Sequence, residues 1–301
     1  MRDLAKRTTK KMYTGRDHWD TSVDLSGDGS TLAIITSSGI GTVTEVRIVD
    51  VASGKTIAVR NDFSFLNGFS FSTDGKWASY SGQGATEPDP AYLWNIAKNT
   101  LTRISPADSD AEDAVISPDG KKFAYTLDYD TAYSVTLATG ARQVINVNSH
   151  GGTTSNDLLA PIEYSADDND VLFSSNSPDY GHPICQNTGC AYRRNLTTNQ
   201  VTLASVLPNG TAVGTAQATM SQDGDVVSFL PSNSDGQVYT RRLSTSTTVL
   251  TSKNAAGKAS NQWATAETIN ADGTSVAFVS PATNLGTPTP TGGLWLTPSG
   301  A

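Results

Sequence analysis

Any metal or general-base chemistry resting on imidazole would have to come from three histidines spread far apart along this 301-residue chain, His18, His150 and His182. Transition-metal sites need several imidazole or thiolate ligands brought together at set spacings, and these three do not follow one. A serine nucleophile would need a G-x-S-x-G elbow between a strand and a helix; "GFSFS" at residues 68–72 reads as a strand instead. "SSGIGTV" contains a G-x-G but sits in a hairpin with no helix behind it, so a nucleotide loop fails as well. The densest acidic cluster is "DSDAED", residues 108–113. Its carboxylates Asp108, Asp110, Glu112 and Asp113 are the hard oxygen donors that Ca²⁺ takes, although their spacing departs from an EF-hand loop. A solvated loop on an acidic protein is the plainer reading.

Cys185 and Cys190 are the two cysteines, both within "PICQNTGCAY". They either close a small disulfide, which would imply an oxidising compartment, or stay two free thiols. Without further close ligands they do not make a zinc site.

These residues need a framework, and composition says which kind. With 37% hydrophobic and 17% charged residues, 26 Gly and 13 Pro, and no sustained 3.6-residue periodicity, the chain suits strands and turns. A formal net charge of −8 argues against nucleic acid and against an anionic membrane surface, because phosphate binding needs clustered Lys and Arg. Apolar runs such as "TLAII" are far shorter than the ~20 residues that cross a bilayer. The basic start "MRDLAKRTTKK" has no apolar segment behind it and is not an intact secretory signal.

One turn recurs six times: "LSGDGS" at Asp28, "FSTDGK" at Asp74, "ISPDGK" at Asp119, "YSADDN" at Asp167, "MSQDGD" at Asp223 and "INADGT" at Asp272. Spacings of 45 to 56 residues mark a repeat architecture, and strands in every unit make the repeats propeller blades. The Asp accepts backbone amides ahead of it, and the Gly after it takes a positive φ. In the fourth copy Asp168 replaces that Gly, and Asp is among the residues that tolerate the left-handed region.

After each turn comes an apolar, mostly small, then large triplet: Leu32-Ala33-Ile34, Ala78-Ser79-Tyr80, Phe123-Ala124-Tyr125, Val171-Leu172-Phe173, Val227-Ser228-Phe229 and Val276-Ala277-Phe278. Alternation puts the outer two on one face of the strand. A further strand follows, with a tyrosine near its start at Tyr92, Tyr133, Tyr192 and Tyr239, and then a threonine-rich outer strand. The last unit stops at "LWLTPSGA", before its outer strand. At the other end, "RDLAKRTTKK" (2–11) reads like "VDVASGKTIA" (49–58), the end of a third strand, a turn and an outer strand. The expected fold is therefore one all-β domain over residues 1–301. It is a six-bladed β-propeller of four-stranded antiparallel blades, in which residues 1–13 complete the last blade and close the ring.

These motifs resemble the TolB-like, WD-repeat-like β-propeller repeats of bacterial proteins. "INADGTSVAFVSPATNLG" is similar to a subgroup of secreted propellers with "ATNL" repeats. The resemblance covers nearly the whole chain and implies the fold, while function varies widely among such proteins. Polysaccharide lyases of similar fold use several histidines around a channel metal, a set that His18, His150 and His182 do not reproduce. Blade four departs most, carrying both Asp168 and the long "NSPDYGHPICQNTGCAY" insertion.

A propeller's ligands usually meet the connections that converge on its channel. Here those supply Asp20, Asn67, Glu112, Asp113, Asp157, Gln217 and Trp263, with Trp19 beside them. The expectation is a monomeric, non-enzymatic propeller, periplasmic or secreted, that takes a protein partner or a small polar ligand at this funnel, with no cofactor beyond Ca²⁺. The alternatives are a carbohydrate lyase or hydrolase working in the channel, a propeller module of a longer protein, and a hydrated funnel with no ligand.

Overall fold

The computed structural model describes residues 2–3, 7–12, 20–39, 42–62, 66–82, 88–148, 151–154, 160–232, 236–286 and 293–301. The chain is an all-β, six-bladed β-propeller with, among the described residues, two short 3₁₀ turns, Pro178–Tyr180 and Pro183–Gln186. Blade one is built from Asp20–Leu25, Thr31–Gly39, Thr42–Asp50 and Thr56–Arg60, and blade two from Asn67–Phe71, Trp77–Ser81, Ala91–Asn95 and Thr100–Arg103. Blade three comprises Ala111–Ile116, Lys122–Leu127, Thr131–Thr136 and Ala141–Val144. Blade four comprises Ala160–Tyr164, Asp170–Ser175, Cys190–Asn195 and Val201–Leu203. Thr215–Met220, Val226–Pro231, Tyr239–Arg242 and Thr247–Leu250 form blade five. Ala266–Ile269, Ser275–Ser280 and Gly293–Pro298 are the described strands of blade six. Within each sheet the strands run in chain order. By internal contacts the chain divides into two compact units, residues 1–128 and 129–301, with the boundary in the turn between the second and third strands of blade three.

The recurrent turn folds as its residues require, with one partner that the aspartate alone does not reveal. In blade two Asp74 Oδ1 accepts from the Lys76 N–H at 3.1 Å and from the Ser72 hydroxyl at 2.9 Å, while Ser72 Oγ accepts from the Trp77 N–H at 3.1 Å. The same triangle recurs at Ser26 and Asp28, Ser117 and Asp119, Ser165 and Asp167, and Ser221 and Asp223. In blade six Asn270 Oδ1 takes the serine's place and accepts from the Ser275 N–H at 2.8 Å. These bonds hold the carboxyls of Asp28, Asp74, Asp167 and Asp272 below the ordinary aspartate value. Asp168 sits at φ +58°, as its place in the turn demands.

The turns also bond one another through the backbone. In the first unit the Asp28 N–H donates to Thr73 O at 2.9 Å and the Thr73 N–H to Pro118 O at 2.8 Å. In the second unit the Ala166 N–H donates to Gln222 O at 2.7 Å and the Gln222 N–H to Ala271 O at 2.8 Å. Pro118 accepts in this series and has no N–H to donate.

The triplets are the core. Phe123, Ala124, Tyr125, Val171, Leu172, Phe173, Val227, Ser228 and Phe229 are all fully buried. The large residue at the end of the triplet lies directly across from the recurrent tyrosine, Tyr80 against Tyr92, Phe173 against Tyr192 and Phe229 against Tyr239. Ring centroids in these three pairs are 5.6, 5.6 and 5.9 Å apart, the range in which cross-strand aromatics stabilise a sheet. The similarity between residues 2–11 and 49–58 is structural too: Arg2 pairs with Thr9 as Val49 pairs with Thr56, and Arg7 at φ +54° stands where Gly54 has φ +72°. Lys10 Nζ donates to Val51 O and Ala52 O, and Met12 packs on Leu32, Ile34 and Val49.

Candidate functional site

The first strands of blades two to five each carry a β-bulge, at Asn67/Phe69, Glu112/Val115, Pro161/Glu163 and Thr215/Gln217. A bulge turns the side chains beyond it. In blades two, four and five the residue four before the turn aspartate reaches the neighbouring blade. In the first unit Ser70 Oγ accepts from the Ile116 N–H at 2.9 Å. In the second unit Glu163 Oε1 accepts from the Met220 N–H, and Thr219 Oγ1 accepts from the Ile269 N–H at 3.1 Å. Each is a polar staple from one blade's first strand to the next.

Two of the groups around these staples are glutamates in a place that does not suit a charge. Burial pushes the Glu163 carboxyl up to about 8, against the hydrogen bond from Met220 and with the Glu267 charge adding to the rise. Burial likewise raises Glu267 to about 7, opposed by the hydroxyls of Ser228 and Thr219. Glu267 is 8% exposed. Its Oε2 accepts from the Thr219 hydroxyl at 3.2 Å, whereas its Oε1, with the Ser228 hydroxyl close to the carboxyl, makes no well-formed hydrogen bond among the described residues. A buried oxygen left this way costs about 1–3 kcal/mol unless something binds it.

What lies in front of it is a cavity of about 510 Å³. Its walls come from the first strands of blades four and five, the end of the blade-four insertion and Glu267 of blade six. Ser174, Thr188, Thr215, Gln217 and Thr219 supply hydroxyls and an amide, and Glu267 supplies the carboxyl. Such a cleft, mixing apolar wall with a few convergent polar groups, is the usual form of a small-ligand site.

Of the residues picked from the sequence, Gln217 lies in this cavity. Asn67, Glu112 and Asp113 lie on first strands in the first unit rather than in connections, because the bulges lengthen those strands. Asp113 takes φ +52°, and its carboxyl is raised to about 6 by burial and by the Glu112 charge. Gly68 permits the approach: a Cβ there would stand 3.0 Å from Asp113 Cα. Asp20 opens the first strand of blade one, and Trp263 is 60% exposed ahead of blade six. Trp19, Asp157, His18 and His150 lie outside the described residues.

Asp110 does backbone work, its Oδ1 accepting from the Asp89 N–H at 2.8 Å. Among the described residues no three His, Cys, Asp or Glu side chains are grouped as a metal's ligands, Asp108, Asp110, Glu112 and Asp113 included. Cys185 and Cys190 form a disulfide. The "ATNL" segment is structural: Asn284 Nδ2 donates to Ala259 O at 2.8 Å and its Oδ1 accepts from the Asn261 N–H at 3.0 Å.

Glu163 and Glu267 did not emerge from the sequence because "PIEY" and "AETI" look like ordinary half-exposed strands. Superposing the repeats carries the missing signal, a glutamate where sister strands hold Ser70 or Ala218.

Solved structures share this architecture. One is TolB from Acinetobacter baumannii, 14% identical over 91% of this chain and 65% of that one, with a TM-score of 0.57. A chain assigned as TolB in Agrobacterium tumefaciens is 16% identical over 83% of this chain and 86% of that one, with a TM-score of 0.54. The fold is that of the TolB-like β-propellers. An oligogalacturonate lyase in complex with manganese shares it as well, at 12% identity, over 99% of this chain and 81% of that one, with a TM-score of 0.64. The chain thus spans slightly under two thirds of the first TolB. No protein-family model and no curated protein sequence matches it. Among the described residues no helix is long and apolar enough to cross a membrane.

Proposed function

We propose that this TolB-like propeller is a non-enzymatic binding protein, and that the Glu267 cavity takes a polar ligand bearing a cationic group, either a small amine or a lysine or arginine side chain of a protein partner. The observation that carries this reading is the buried Oε1 of Glu267, without a well-formed hydrogen bond among the described residues, in a carboxyl that lines a cavity of about 510 Å³. Near neutral pH the carboxyl is poised between its two forms. A bound cation favours the charged form, so binding releases a proton. Gln217 and the hydroxyls of Ser174, Thr188 and Thr215 would orient the rest of the ligand. The disulfide Cys185–Cys190 supports a life in an oxidising compartment, outside the cytoplasm.

The test uses the tripeptide Gly-Lys-Gly and putrescine as probes in titration calorimetry at pH 7.5, in two buffers of different ionisation enthalpy. Binding whose heat depends on the buffer, and which Glu267→Gln weakens at least tenfold, supports the reading. No binding of either probe, or equal binding by the variant, overturns it. Stoichiometric uptake of manganese, lost on replacing His18 or His150 and accompanied by cleavage of oligogalacturonate, would place the protein with the carbohydrate lyases instead.

A further inference from the structure

A second cavity, of about 640 Å³, lies away from the first strands, on the face formed by the third and fourth strands of blade four. Its floor is Arg194, which is 3% exposed. One guanidinium nitrogen, Nη2, donates to Asn199 Oδ1 at 2.7 Å; Nε and Nη1 are buried with no hydrogen-bond partner among the described residues. Burial lowers the Arg194 pKa from its ordinary value, yet a guanidinium remains charged at any physiological pH. A buried cation with idle donors is among the costliest groups a fold can carry unless it receives an anion.

The repeat provides an internal control. Trp94 holds the same register in blade two, and its indole Nε1 donates to Asn99 Oδ1 at 3.0 Å just as Arg194 donates to Asn199. Both asparagines take a positive φ, 51° and 64°. The turn is thus satisfied by a fully buried tryptophan that leaves no charge. Blade five also holds an arginine at this register, Arg241, whose Nη1 donates within its turn to Ser246 O at 3.0 Å and Thr248 Oγ1 at 2.9 Å. Blade two shows that the turn does not require one, and Arg194 meets its turn through Nη2, leaving two donors that call for an explanation.

The walls supply one. Tyr180, from the insertion, and Tyr192, from the third strand, lie 4.4 Å apart between centroids, with His182 6.4 Å from Tyr192. All three line the cavity. Tyr192 is fully buried against Phe173 and Tyr180, so the half-buried Tyr180 is the tyrosine that can accept the flat side of a ring. Asp179 is the one carboxylate among the described lining residues, so the cationic end of the cavity belongs to Arg194. The insertion that brings Asp179, Tyr180 and His182 is closed by Cys185–Cys190.

From Arg194 and Tyr180 we propose a second binding site, on the side of blade four, for a small organic anion that presents a ring face: a carboxylate or phosphate on Arg194 and the ring against Tyr180. It is independent of the Glu267 cavity. The test measures binding of benzoate and glucose 6-phosphate, with benzyl alcohol and glucose as neutral counterparts, by ligand-observed NMR and calorimetry. The two anions separate a carboxylate site from a phosphate site. At least one anion is expected to bind wild type, its neutral counterpart at least tenfold more weakly, and Arg194→Met should lose that binding while melting no lower than wild type. Failure of both anions to bind, or undiminished binding by a folded Arg194→Met protein, overturns the site. Should that variant not fold, Tyr180→Leu decides: weaker anion binding supports the proposal and unchanged binding refutes it.

Discussion

Blades two and four are built on one plan and spend it differently. Both pair a large triplet residue with a tyrosine, both turn on a left-handed asparagine, and both offer a polar staple to the next blade. In blade two the turn is filled by Trp94, the staple is the neutral Ser70, and the positive-φ position is Gly75. In blade four the corresponding residues are Arg194, Glu163 and Asp168. Every substitution replaces an inert group by an ionisable one in a buried place. The difference suggests which positions serve the fold and which have been released from it, since blade two shows that each local requirement can be met without charge.

The comparison breaks first at the turn. Trp94→Ala should cost about 3–5 kcal/mol in urea unfolding, the price of emptying a fully buried indole site. Arg194→Met should leave the midpoint unchanged or raise it. If the two variants lost stability equally, Arg194 would be a packing residue like its counterpart.

A covalent test comes next. Replacing both Cys185 and Cys190 by serine should lower stability by about 2 kcal/mol, a modest amount because the closed loop is short. Gly75→Asp, which gives blade two the turn residue of blade four, should cost about 1–3 kcal/mol in the same assay. A Cβ at Gly75 would stand 2.3 Å from Thr31 Oγ1, and φ there is +62°. The reverse exchange, Asp168→Gly, should stay within about 1 kcal/mol of wild type.

The staples sharpen the contrast through pH. A carboxyl whose folded pKa is raised binds protons better in the native state than in the unfolded chain. Its stabilisation is therefore present below the ordinary glutamate value of 4.5 and is lost as pH rises through about 7 for Glu267 and about 8 for Glu163. Melting temperature should fall between pH 5 and pH 8.5, and Glu163→Gln should flatten that fall. Ser70→Ala should cost about 1 kcal/mol and leave the slope as it is. The turn aspartates have lowered values and act in the opposite sense, their stabilisation fading only as pH drops below about 4.

Much of this was legible in the chain itself. The repeated S-x-D-G turns, the aromatic partners Tyr92, Tyr192 and Tyr239, and the hairpin hidden in residues 2–11 follow from local rules repeated six times, which is why reading them in register works. The site was less accessible. Gln217 was picked as part of a connection expected to reach the channel, but Glu163 matters through burial, and Glu267 and Arg194 through burial and through partners missing among the described residues. Those properties depend on how bulged strands meet, and no spacing encodes them. Their signal was a departure from blade two or blade five, an acid where Ser70 or Ala218 stands and a base where Trp94 stands, while blade one holds Asp24 at the register of Glu163 and blade five Arg241 at that of Arg194.

Cys185 and Cys190 close a small covalent loop at the end of the insertion that carries Tyr180 and His182, just ahead of the ladder that joins the second and third strands of blade four. Thiol reductants would therefore loosen the aromatic wall while leaving the sheet beneath it intact. Ligand capture on that flank becomes a property of where the molecule resides: competent where electrons are scarce, slack where glutathione abounds.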